Sequence, residues 1–93
     1  MVKVIVLYEQ EPPADRYAQH VEEFVRPVSC KAFRHGKVFG APIGDKRYAY
    51  FGEFEWDDME SFEEAASSQA FADSAKDAMA MNIPFHVYFV STE

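Results

Sequence analysis

The sequence predicts an α+β fold in which one four-stranded antiparallel sheet carries two helices on one face. Three observations predict it. Short β-branched or aromatic runs alternate with longer stretches of helical period in the order β, α, β, β, α, β. That order suits a single sheet covered on one side. The 93 residues are of single-domain size, so residues 1–93 are read as one domain, with no internal repeat or low-complexity linker.

Each element has its own signal. Val2-Lys3-Val4-Ile5-Val6-Leu7-Tyr8 is short, β-branched and apolar on both faces, which predicts a central strand. Pro12-Pro13 forbids further ladder pairing and suits the first turn of a helix. From Ala14 to about Val25, residues Tyr17, Val21, Phe24 and Val28 recur at helical spacing, with His20 and Val25 beside them, until Pro27 ends the run. Lys31 to Phe39 reads as a strand with Phe33, His35, Lys37 and Phe39 on one face, and with Gly36 marking a bulge or a close approach. After the Gly40–Asp45 loop, Lys46 to Trp56 reads as a strand with Tyr48, Tyr50, Phe54 and Trp56 on one face. Asp57 with Glu60 three residues on fits a capping box. The helix it opens has Met59, Phe62 and Ala66 as its stripe, breaks at Ser67-Ser68, and continues through Phe71, Ala75 and Met79. Ile83 to Val90 is the last strand, with Pro84 at its start. This is the split βαβ arrangement of ferredoxin-like domains.

Composition bounds the partners. Nearly half of the chain (48%) is hydrophobic, with nine Phe, five Tyr and one Trp, a heavy apolar load for a small domain. The second face of the sheet would stay wet unless it pairs with a second copy by two-fold symmetry, so a homodimer enclosing a small-molecule pocket is expected. The net charge of −7 argues against nucleic acid and against an anionic membrane surface, and no stretch is long enough to span a bilayer. Met1-Val2-Lys3 leads straight into a strand pattern, so no secretory leader is expected. Cys30, the one cysteine, has no internal disulfide partner, which fits a reducing cytoplasm.

His20 is the leading candidate for chemistry. It lies one turn from Tyr17 and one from Phe24 on the inward side of the first helix, where an imidazole can act as general acid or base near neutral pH. The competing reading is a core histidine with both ring nitrogens satisfied. His35 and His86 lie among aromatic residues in strands. The spacing of the three histidines matches no short ligand motif, so no metal is expected. Phe33, Tyr48 and Tyr50 are candidates to line a pocket for an apolar or aromatic molecule, against the reading that they only pack. Glu22, Glu23, Asp57, Asp58, Glu60, Glu63 and Glu64 read as solvated helix faces. No glycine motif for a dinucleotide or phosphate is present, and no cofactor is expected.

Several segments, in order, resemble the EthD-like family, named for ethyl tert-butyl ether degradation, of the dimeric α/β barrel superfamily. They are Lys3–Tyr8 as first strand, Asp15-Arg16-Tyr17-Ala18-Gln19-His20 as the histidine-bearing helix, Ser29-Cys30-Lys31-Ala32-Phe33 as entry to the second strand, Tyr48–Trp56 as the third, Asp57–Phe62 as a helix entry, and Ser67–Ala72 as a serine-bearing break. The chain has Glu22 where the family usually carries a proline, and Val28-Ser29 in place of a Pro-Gly turn. The resemblance implies a homodimeric barrel with His20 at the pocket. Related barrels include cofactor-free monooxygenases, polyketide cyclases, lactone isomerases and haem-degrading proteins. The expectation is therefore a cofactor-independent small-molecule enzyme, of oxidoreductase, isomerase or cyclase type. In it His20 moves a proton, Tyr17 orients the substrate, and Phe24, Phe33, His35, Tyr48, Tyr50 and His86 form the binding site. The alternatives are a non-catalytic binding or accessory protein of a degradation pathway and a haem-handling protein.

Overall fold

A computed structural model describes residues 1–93. The elements are β1 (Val2–Tyr8), α1 (Ala14–His20) running on into a wider π-helical turn (Val21–Val25), β2 (Ala32–Lys37), β3 (Tyr50–Trp56), α2 (Met59–Ala66), α3 (Gln69–Ala80) and β4 (Phe85–Ser91). The four strands form one antiparallel sheet in the order β2-β3-β1-β4. This is the predicted architecture, with β1 central as its apolar character on both faces requires.

Strand register fixes what faces the helices. Val2, Val4, Val6 and Tyr8 of β1 pair with Trp56, Phe54, Gly52 and Tyr50 of β3. Phe33 and His35 of β2, and Phe85, Val87 and Phe89 of β4, lie on the same side. The core beneath the helices is Val2, Val4, Val25, Val28, Phe54, Trp56, Phe62 and Ala65. Trp56 packs edge-on to Phe62 at 5.2 Å and donates its Nε1–H to the Ser29 carbonyl at 2.7 Å, so the one polar atom of its ring is satisfied in the core. The opposite face carries Ile5, Leu7, Phe51, Tyr88 and Val90, together with a charged row in which Arg34 reaches Glu53 (2.9 Å) and Glu55 (3.3 Å) and Lys3 reaches Glu53 (3.5 Å).

Several local expectations change, each for a physical reason. Lys46 to Ala49 does not join β3. A bend at Ala49 breaks the alternation, and Tyr48 turns to the helix-free side, its ring 5.7 Å from that of His86. β2 stops at Lys37, and Phe39 beyond it is 99% exposed. Gly36 marks no bulge, since β2 and β3 pair without interruption; a side chain there would meet the Phe51 ring at 3.2 Å. Asp58, not Asp57, caps α2, accepting from the Ser61 amide at 2.8 Å; position N3 is then Ser61, so Glu60 cannot complete a capping box. The break at Ser67-Ser68 is a true junction, where Ser68 caps α3 through the Phe71 amide at 3.2 Å. The buried stripe of α3 runs through Phe71, Ser74 and Ala78, and Met79 is exposed. Asn82, at φ 62°, takes the left-handed turn that ends this helix.

The π turn matters most. Arg26 donates to the Val21 carbonyl at 3.0 Å, five residues back. The wider turn carries Val25 into the core in place of Phe24, which stays half-buried at the side.

One glycine is required by a close approach. A side-chain carbon at position 52 would stand 2.9 Å from the Tyr17 hydroxyl and 3.4 Å from the Phe33 ring. Gly52→Ala is expected to destabilise the fold by about 1–3 kcal/mol, as overpacking of a filled site does. The cost should shrink in a Tyr17→Phe background, where the obstructing oxygen is gone. Urea unfolding of the four proteins measures the coupling, and a cost unaffected by Tyr17→Phe would show that the hydroxyl is not the obstruction.

Candidate functional site

α3 presents Ser74, Ala75 and Ala78, all small, toward a sheet face built from large rings. The mismatch leaves a cavity of about 220 Å³ between α3, α1 and the sheet. Its sheet side is Val4, Val6, Tyr8, Gly52 and Phe54, continued by Phe33 on one flank. On the other flank Val87 and Phe89 of β4 form a largely exposed rim (43% and 64%), where Phe62 of α2 meets the Phe89 ring edge-on at 5.2 Å. The cavity lies within one chain, on the helix-covered side of the sheet. It is formed by one chain alone and is thus a different space from the expected pocket enclosed by two paired copies.

The polar groups gather at one end. His20 is 4% exposed and lines the cavity. Its Nδ1 lies 2.8 Å from Asp77 Oδ2. Arg16, one turn earlier on α1, grips the same carboxylate with two bonds, 3.0 Å to Oδ2 and 2.8 Å to Oδ1. The Arg16 guanidinium beside Asp77 holds its carboxyl below the usual aspartate range, against the opposing effect of burial, and His20 adds to the hold. The carboxylate is thus ionised near neutral pH, and an ionised carboxylate only accepts hydrogen bonds. The Nδ1 of His20 is therefore the donor.

Tyr17 is the hub of the ring cluster. Its ring centroid lies 5.1 Å from those of His35 and Tyr50, 5.5 Å from that of His20 and 5.8 Å from that of Tyr8. Burial pushes the Tyr8 hydroxyl up to about 12, and burial raises Tyr17 as well, so both are neutral in the physiological range, with their hydroxyls bonded to each other. Ser74 spends its hydroxyl proton on the Phe71 carbonyl at 2.7 Å. The cavity thus offers one imidazole and the two tyrosines in an otherwise apolar wall.

Of the sequence candidates, Tyr17, His20 and Phe33 line this cavity. His35 and Tyr50 stand behind Tyr17, joined by a 2.6 Å hydrogen bond, and face a separate surface cleft between α1 and β2. Phe24 stacks outside His20, centroids 6.5 Å apart. Tyr48 and His86 lie on the other side of the sheet, where His86 Nε2 is 3.3 Å from Glu9, so neither is part of the cavity. The strand alternation that puts Phe85 and Val87 inward turns His86 outward. No group of three metal-binding side chains comes together. Burial pushes the Cys30 thiol up, away from a reactive thiolate.

Asp77 and Arg16 were not legible as site residues. They lie 61 positions apart, and Asp77 reads as part of a polar helix flank. The available signal was the run of small residues on α3, Ser74, Ala75 and Ala78, which marks a helix face too small to fill the space above an aromatic sheet.

Comparison with known proteins bears on the fold. No family model matches the chain, and no curated protein matches it. Solved structures do. An EthD family protein from Bacillus halodurans superposes with a TM-score of 0.77 at 24% identity, over 100% of this chain and 99% of that one. A dimeric ferredoxin-like protein of unknown function from Jannaschia gives 0.72 at 17%, over 98% of each chain. An EthD-like protein from Ralstonia eutropha gives 0.71 at 18%, over 97% of this chain and 89% of that one. The chain therefore has the ferredoxin-like α+β fold found in EthD family proteins, along its whole length.

Proposed function

We propose that the cavity binds a compact apolar or aromatic molecule carrying one hydrogen-bonding group, and that His20 moves a proton to or from that group while Tyr17 orients it. The observation that carries this reading is the buried His20 ring, tied by Nδ1 to Asp77 and bordering a cavity lined by 15 residues of which 12 are hydrophobic. Apolar walls favour an apolar body, and the polar end gives the ligand one orientation. Both tyrosines are held neutral, and because their hydroxyls bond to each other the pair has one O–H left to donate to a carbonyl or hydroxyl oxygen. Proton transfer of this kind needs no cofactor. The EthD name of two of the structural neighbours supports a place in small-molecule breakdown.

We further propose that the chain works as a homodimer paired through the helix-free face of the sheet. Support comes from the half-exposed Ile5, Leu7, Phe51 and Val90 there, which surround paired charges, and from the dimeric state named for the Jannaschia protein. The cavity is on the other side of the sheet, so pairing leaves its β4 rim free.

The binding reading is tested with 2-naphthol, a fluorescent two-ring molecule with a single hydroxyl. Saturable binding is expected, weakened about tenfold or more by Ala75→Trp, which fills the cavity from its exposed margin. Equal affinity in the variant would place the ligand elsewhere. The dimer is tested by sedimentation equilibrium. The native chain should show twice the 10.7 kDa chain mass and Leu7→Glu the single mass, whereas a monomeric native chain would refute the pairing.

The ionised state of Asp77 has its own signature. Its folded-state value lies below the unfolded one. Asp77 therefore stabilises the fold above the ordinary aspartate range, and this stabilisation is lost as pH falls through the lowered folded value. Asp77→Asn should reduce stability near neutral pH and flatten the loss on acidification, as read from urea midpoints between about pH 2 and pH 7. Parallel profiles for the two proteins would rule out the ionised pairing.

A further inference from the structure

The cavity presents an imidazole, and an imidazole has two nitrogens of which only one can meet a ligand here. We propose that Asp77 is the positioning residue of this site: it fixes His20 as the tautomer protonated at Nδ1, leaving Nε2 as a proton acceptor facing the cavity, while Arg16 holds the carboxylate in place.

The geometry carries each part. The Nδ1 to Oδ2 separation of 2.8 Å is that of a charge-assisted hydrogen bond. Asp77 Oδ2 also accepts from Arg16 at 3.0 Å, and Oδ1 accepts from Arg16 at 2.8 Å, so the carboxylate cannot swing without breaking a two-point grip. The three side chains come from facing helices, with Arg16 and His20 one turn apart on α1 and Asp77 on α3. The ring itself is held between Phe24, stacked at 24°, and Tyr17, whose centroid lies 5.5 Å away. A half-turn of the ring would set a carbon against the carboxylate in place of Nδ1. With Nδ1 committed as donor, the lone pair of neutral His20 is on Nε2.

The chemical consequence follows directly. The ligand's O–H, or a C–H acidified by a neighbouring carbonyl, breaks, its proton forms an N–H bond at Nε2, and the electron pair stays on the ligand. The imidazolium so formed carries its charge next to Asp77, which offsets it without taking the Nδ1 proton. Asp77 thus sets the direction in which His20 works: it takes a proton first and returns it later. The assignment of the ligand rests on the function proposed above, whereas the tautomer stands on the chain's own atoms.

Two readouts on the native protein and on Asp77→Asn separate the claims. Nitrogen-15 NMR at about pH 9, where free imidazole is neutral, reports the tautomer, with the His20 signals identified by their loss in His20→Gln. The native protein should show Nδ1 protonated and Nε2 bare, and Asp77→Asn should lose this preference. Bound 2-naphthol provides the second readout, because its excited state releases the hydroxyl proton to an adjacent base and then emits as naphtholate. That emission should be present in the native complex and lost in Asp77→Asn, both read at saturating 2-naphthol. A native His20 protonated at Nε2 overturns the proposal even if the variant does not fold. So does a variant that keeps the native tautomer and the naphtholate emission. A native tautomer that depends on Asp77 in a protein that fails to bind 2-naphthol upholds the positioning role and rejects the ligand reading alone.

Discussion

The Tyr17 hydroxyl occupies the place where a side chain on residue 52 would stand, 2.9 Å from the position of its first carbon. That approach locks α1 against β3 at the middle of the sheet, and much else follows from it. With Tyr17 seated there, His20 one turn later lies at the inner end of the helix face, under α3 and not at the protein surface. His35 and Tyr50 are closed off behind the Tyr17 ring, and the sheet between Val6 and Phe54 is left free to floor a cavity. A glycine in a strand interior sacrifices packing, and here the loss is recovered by a ring from the opposing layer.

The second constraint is the change of helical pitch after His20. A regular helix through Val28 would bring Phe24 inward. The π turn instead brings in Val25 and leaves Phe24 alongside His20, where its ring covers the imidazole. Such turns insert one residue into a helix and often mark sites where a side chain has to be re-aimed. In this chain the turn separates two tasks along one helix. Residues before it hold the polar end of the cavity, and Val25 at its end and Val28 beyond it close the core near Trp56.

Electrostatics and packing cooperate at the polar end. A buried histidine facing an apolar cavity is costly unless one of its nitrogens is paired. Asp77 supplies the pair, and Arg16 supplies the charge that keeps Asp77 ionised although it is largely buried. The three groups form a chain from the surface inward, with the most exposed member, Arg16, carrying the permanent charge. The small face of α3 completes the arrangement, since a bulky residue at Ser74 or Ala78 would fill the volume that the imidazole borders.

The sequence by itself determined the fold class, the order of the strands and helices, the inward side of α1 and the identity of its histidine. Those features depend on periodicity and on local chemistry, both of which are written in neighbouring residues. The alternation in β3 gave the face shared by Tyr50, Phe54 and Trp56, and the serines at 67 and 68 gave the helix junction. Tertiary structure alone decided the rest. It placed Asp77 against His20 across 57 residues, because two helices fold over one sheet. It sent Tyr48 to the far side, because a bend at Ala49 turns it there. It opened a cavity between helix and sheet, because the size of a cavity depends on how facing surfaces of unequal bulk meet. That meeting is a property of the packed layers, and no single segment encodes it.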